Sequence, residues 1–157
     1  MNPNADLIQR LYESFQRRDA AGMCACYHAE AEFSDPVFSS LKGPQVTAMW
    51  TMLIERARSV EISFDSVTAD EHAGRAHWEA RYPFSKTGRQ VHNVIEARFA
   101  FRDGRIVRHI DSFDLWRWAG MALGMKGRLL GWLPAVQGAI RREAMDNLER
   151  YMAKRQP

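Results

Sequence analysis

The chain has 157 residues, enough for one domain with one sizeable core. Hydrophobic residues make up 46% and charged residues 26%, the balance of a folded globular protein, and no apolar run reaches the roughly 18 residues that a membrane span needs. Net charge is +3 and uneven, with 8 Lys/Arg against 3 Asp/Glu over residues 115–157 and 14 against 16 before them, but no Lys/Arg block points to nucleic acid.

The opening MNPNADLIQR lacks a basic start followed by an apolar stretch, so a cytoplasmic location is expected. Leu7, Ile8, Leu11, Tyr12 and Phe15 recur at helical spacing and predict a helix over 4–18, capped by Asn2 or Asn4. Asp19 reads as the N-cap of a second helix over about 20–28, with Met23, Cys26 and Tyr27 facing inward. Cys24 and Cys26 stand at i and i+2, which is neither a C-x-x-C pair nor part of a zinc set, so both read as buried or half-buried thiols. A short strand over 30–34 leads into Asp35–Pro36, and a loop runs to Gly43–Pro44. Pro44 suits the first turn of a third helix, about 44–58, whose apolar stripe is Val46, Met49, Trp50, Leu53, Ile54 and Ala57.

The period then changes from helical to alternating. Strands are expected over 60–68, 75–84, 90–101 and 106–114. Trp78, Ala80, Tyr82 and Phe84 share one face of the second. Val91, Asn93, Ile95, Ala97, Phe99 and Phe101 share one face of the third. Val107, His109, Asp111 and Phe113 share one face of the fourth. Asp103–Gly104 marks a hairpin turn between the last two. Three helices followed by a meander predict an α+β fold with helices on one face of a curved, mostly antiparallel sheet. Residues 1–114 form this unit, and 115–157 add a helical extension: an apolar, Trp-rich stretch broken by glycines, then an amphipathic helix carrying Val136, Ile140, Ala144, Leu148 and Tyr151. Residues 115–133 of it read as a lid or core packing first, an interface second, and membrane contact, which is not expected, last.

Sheet parity turns Asp35, Asn93, His109 and Asp111 toward the concave side, with Trp78 and Tyr82 beside them. A few polar groups converging in an apolar pocket suit a small hydrophobic ligand. Asp before Pro at a strand end is also a common turn. His109 and Asp111, at i and i+2, share a face, so Asp111 can fix a tautomer of His109. His77 and His92 lie on the opposite face with Glu79, Glu96, Arg81 and Arg98, a cross-strand charge pattern and not a metal site. Asp114 reads as the cap of the helix that follows.

LIQRLYESFQRRDAAGM, AEFSDPVF followed by KGPQVTAMW, and FRDGRIVRHIDSFD, in that order and spacing, resemble the NTF2-like cone fold. The likeness is to its branch of SnoaL-like polyketide cyclases and ketosteroid isomerases, over about residues 5–114. The resemblance implies an isomerase or cyclase working by proton transfer on a hydrophobic carbonyl or ring substrate, without metal or cofactor, and a homodimer. It places Asp35 at the isomerases' catalytic acid–base position and Asp111 at the cyclases' rival one. His109 would donate or polarise, Asn93 and Tyr82 would orient, and Trp50, Trp78, Phe99 and Phe113 would contact substrate. Leu11 and Ala97 occupy the oxyanion-donor positions, with Tyr12 one step, about 100°, round the helix. A dehydratase would use the same parts, and a non-catalytic ligand binder would fit the absent donors.

Overall fold

The computed structural model describes residues 2–57 and 59–155. The Asn2 side chain accepts from the amides of Asn4 and Ala5 and starts α1 (Pro3–Gln16). Its wide apolar face buries Leu7, Ile8, Leu11, Tyr12 and Phe15 together. Asp19 caps α2 (Ala20–Cys24) by accepting from the Gly22 amide at 2.9 Å. This helix is shorter than expected. The Cys26 carbonyl accepts from the Ile106 amide at 2.9 Å, a sheet-type bond where a helical one would have continued the turn. Tyr27 accordingly opens β1 (Tyr27–Ser34), which begins earlier than the expected strand.

The expected loop contains a two-residue strand, β2 (Leu41–Lys42), paired antiparallel to β1. Gly43 takes φ 55, a left-handed conformation that glycine tolerates, immediately before Pro44 opens α3 (Pro44–Arg56). Val46, Met49, Trp50 and Ile54 are buried as expected. Met52 takes the place expected of Leu53, which stays exposed at a cavity edge.

β3 (Glu61–Ala69), β4 (Ala73–Pro83), β5 (Gln90–Arg102) and β6 (Arg105–Ser112) form the antiparallel meander. Asp103 and Gly104 turn the last hairpin, both at positive φ (53 and 74). Strand order is β2-β1-β6-β5-β4-β3, in a mixed sheet because β1 runs parallel to β6. Their register pairs Phe33 with His109, which carries Asp35 up beside the end of β6. A register shift between Ala100 and Phe101 pairs Phe101 with Ile106. Ile106 is therefore buried and Val107 only half-buried, the reverse of simple alternation, while His109 and Asp111 beyond the bulge face inward as expected.

After the sheet, Asp114 caps α4 (Leu115–Leu123) by accepting from the Arg117 amide at 3.1 Å. Gly124, at φ 73, separates α4 from α5 (Met125–Leu130), and α6 (Pro134–Arg155) follows. Leu148 and Tyr151 of α6 are buried in the main core with residues of α1, α3 and the sheet. Tyr151 donates to Glu55 of α3 at 2.7 Å. A second apolar cluster, Val91, Leu115, Trp118, Ala119 and Ala122, seats α4 on β5. The whole is an α+β cone, an open six-stranded sheet with helices packed on it and a helical segment after the last strand.

Candidate functional site

Asp35 follows the last residue of β1. Its Oδ1 accepts from the amides of Val37 (2.7 Å) and Phe38 (2.6 Å), and its own amide donates to the Phe38 carbonyl (2.9 Å). Asp35 is thus the turn residue that its Asp-Pro step suggests. It also lines an apolar cavity of about 340 Å³. Among the described residues, Oδ2 has no protein partner. Burial pushes the Asp35 carboxyl up to about 7; the Asp111 charge adds to this, and the two amides pull it back.

Asp111 reaches the same cavity from β6. Its Oδ1 accepts from Trp78 Nε1 at 3.2 Å and from His109 Nε2 at 2.8 Å. The Tyr27 hydroxyl and His109 Nδ1 are 2.8 Å apart. With Tyr27 donating to Nδ1, Nε2 carries the ring proton and gives it to Asp111, so every polar atom of the imidazole is satisfied. The other oxygen of Asp111 has no protein partner among the described residues, yet it is not sealed off as a buried orphan. It therefore faces the void.

His109 itself does not reach the cavity. Its ring is wholly buried behind Asp111, with centroids 4.4 Å from Phe99, 5.0 Å from Phe33 and 6.0 Å from Trp50. Phe99 lies in the same inner layer and not on the wall. Parity had given both residues the correct face, but the ring of Trp50 and the Trp78–Asp111 bond fill the space in front of them.

Asn93, Tyr82, Trp78, Trp50 and Phe113 do line the cavity. Asn93 is buried, and among the described residues its amide bonds to no protein group and is not orphaned in the core, so it opens on the void. Tyr82 accepts from Trp118 Nε1 at 2.9 Å and keeps its own hydroxyl proton for another acceptor. Burial, foremost, raises its pKa. Leu11 and Ala97 are buried core residues, and neither supplies a side-chain donor. Tyr12, one step round α1, is buried against Phe64 and Trp78, and its hydroxyl has no partner among the described residues.

The structure adds residues that sequence reading did not assign to the site. Tyr27 anchors His109; it is buried with Ala31 and Phe33 of β1, a strand start that the expected helix masked. Trp118, Ile140 and Ala144 bring the C-terminal segment into the wall. Arg56, Lys86 and Glu143 ring the mouth, with Lys86 and Glu143 paired.

On the opposite face of the sheet, Glu79 bridges two histidines, His77 Nε2 at 2.8 Å and His92 Nε2 at 2.6 Å, and Glu96 holds the other nitrogen of His77. Glu79, then Glu96, raise His77 to about 8, and the histidines hold Glu79 near 2. This is the expected cross-strand charge network. Among the described residues, no group of His, Cys, Asp or Glu has the arrangement to hold a metal ion.

The α+β cone, with helices on an open curved sheet, is that of the NTF2-like class. Within it, the chain belongs to the SnoaL-like domain family, whose model matches residues 8–109. No curated protein sequence matches. Among solved structures, the chain resembles a Mycobacterium tuberculosis protein described as an LEH-like epoxide hydrolase (TM-score 0.64, 17% identity, 82% of this chain and 96% of that one). It also resembles a proposed polyketide cyclase from Xanthomonas campestris pv. campestris (0.64, 19%, 76% and 96%). A third likeness is to a proposed isomerase from Bacillus subtilis (0.60, 17%, 79% and 96%). At these identities the likeness establishes the fold.

Proposed function

We propose that the protein moves protons at carbon beside a carbonyl in a small hydrophobic, ring-containing substrate, as an isomerase- or cyclase-type enzyme. The observation that carries this reading is the pair of carboxylates sharing one apolar cavity in unlike environments. Asp111, with one oxygen fixed by two N–H donors, uses its other oxygen as the base. It takes the α-proton, the C–H electron pair forms the carbon–carbon double bond of an enol, and the carbonyl π pair moves to oxygen. Asp35, pushed up to about 7, still carries its proton in a large fraction of molecules near neutrality and gives it to that oxygen. Asn93 and Tyr82 orient the carbonyl, in place of the donors that Leu11 and Ala97 do not provide. Reversal at a different carbon, with Asp35 recovering the oxygen's proton, completes an isomerisation with atoms and charge conserved. His109 acts through Asp111 as a positioning residue.

The test is exchange of α-protons into deuterated water for a panel of cyclic ketones, followed by NMR. Asp111→Asn should slow exchange by about 10²–10⁴-fold. In the wild type, exchange should fall as pH rises through about 7, because the acid form of Asp35 is lost, and Asp35→Asn should abolish that limb. Trp50, Trp78 and Trp118 line the cavity and report binding by fluorescence. Ketones that quench this emission without exchanging above the solvent rate would make the protein a ligand binder and end the enzyme reading.

A further inference from the structure

The helical segment after the sheet is covered on one side only. Trp116, Met125, Leu129 and Trp132 are 49, 66, 63 and 55% exposed, with Leu130 beside them. Elsewhere among the described residues, only Leu53, Val94 and Ile110 are large apolar side chains left in the open. The same stretch is one-sided in charge: residues 115–132 contain Arg117, Lys126 and Arg128 and no Asp/Glu.

The fold holds α4 and α5 tightly against each other. A Cβ on Gly127 would lie 1.9 Å from the Ala119 carbonyl oxygen, so α4 and α5 cross at backbone contact. Trp116 reinforces the crossing by donating to the Arg128 carbonyl at 3.0 Å. Arg89, from the β4–β5 turn, donates to the Met121 carbonyl at 2.8 Å and sets a further cation beside α4. Arg89, Arg117 and Arg128 thus share one groove with Trp116, and Asp114, whose side chain caps α4, is its single acid.

We propose that the α4–α5 hairpin is an interfacial anchor that seats the protein on an anionic lipid bilayer. Aliphatic side chains enter the acyl boundary, indoles sit at headgroup depth, and cations pair with anionic headgroups. Among the described residues no helix is long and apolar enough to cross a membrane, so this contact lies on the surface of the bilayer. A nucleic acid would engage the cations but leave Met125 and Leu129 unused. A second copy docked through this face by a two-fold axis would set the cations against themselves with almost no acid to neutralise them. Sequence reading had placed membrane contact last; the proposal places it first. The inference is independent of the proton-transfer reading, although Trp118, on the inner side of α4, would hold the cavity wall next to the bilayer.

The test uses the full chain with phosphatidylcholine vesicles, with and without phosphatidylglycerol, read by co-sedimentation and tryptophan emission. Binding to the anionic vesicles should be at least about tenfold tighter and should weaken with added salt. Leu129→Ser with Trp132→Ser should abolish it. Lys126→Gln with Arg128→Gln, an independent pair that leaves the apolar side chains in place, should remove the anionic preference. All four side chains are exposed, and unchanged circular dichroism will show that the variants fold. Absence of vesicle binding, or binding that survives both pairs, overturns the proposal. So does a concentration-dependent dimer that Leu129→Ser with Trp132→Ser dissolves in the absence of lipid, which would assign the face to a second copy.

Discussion

Asp35 is both a turn and a buried carboxyl, and the two roles can be separated by one substitution. Asparagine keeps an Oδ1 that accepts from Val37 and Phe38 but removes the charge. The folded-state pKa of about 7 lies above the ordinary 3.8. At low pH both folded and unfolded chains carry the proton. As pH rises from about 4 to 7 only the folded chain keeps it, so the wild type loses stability through that window and the loss is complete above it. Asp35→Asn should therefore be more stable than wild type at pH 8, on the order of 2–4 kcal/mol, with the gap shrinking toward pH 4. Urea midpoints at the two pH values decide it; equal gaps would remove the buried charge from the account. The residue also shows what sequence spacing can reveal. The family resemblance had pointed to this position, and alternation put His109 on the same side as Asp111. Alternation fixes a face and not a depth, so nothing in the chain said that Trp50 and Asp111 would stand between His109 and the void.

Among the elements, α4 and α5 depend on a missing side chain. The glycines of this stretch read in sequence as weak helix, and Gly124 does end α4. Gly127 has a different role, since it removes the Cβ that would collide with the Ala119 carbonyl. Gly127→Ala should cost about 1–3 kcal/mol or more, because backbone cannot move aside as a side chain end can. Gly138, inside α6, has nothing nearer than Arg142 Nη1 at 3.5 Å. Gly138→Ala should stabilise slightly, by about 0.5–1 kcal/mol. Thermal unfolding of the two variants gives opposite signs if packing and propensity are correctly apportioned. Strand faces were legible wherever alternation was unbroken, as along β4 and β5. They were illegible at the β6 bulge, where Ile106 replaces Val107 inside, and at Tyr27, where a helical pattern overlapped a strand one.

At the scale of the molecule, the family match ends at residue 109 while the cavity does not. Phe113, Trp118, Ile140 and Ala144 complete its wall, and Leu148, fully buried, fixes α6 to the main core. Leu148→Ala should destabilise by about 2–5 kcal/mol in urea titration and weaken ligand quenching of the cavity tryptophans, because the helix carrying Ile140 and Ala144 loosens. A loss of stability with ligand affinity intact would show that α6 is a buttress only. The amphipathic stripe of α6 was legible in the sequence; its docking against α3 through Tyr151 and Glu55 was not, since no local pattern encodes contact with so distant an element.

The parallel pairing of β1 with β6 has a consequence in time. Tyr27 and His109 are 82 positions apart, and until β6 exists β1 has only the two residues of β2 to pair with. In a chain emerging from the ribosome α1 can already pack on β3 and β4, but the strand that carries Asp35 has no long partner to join. Bridging that separation is the slow, entropically costly step of such a topology. The two carboxylates become neighbours only once the chain has been made through β6, so a product stalled before that strand holds Asp35 but not the site.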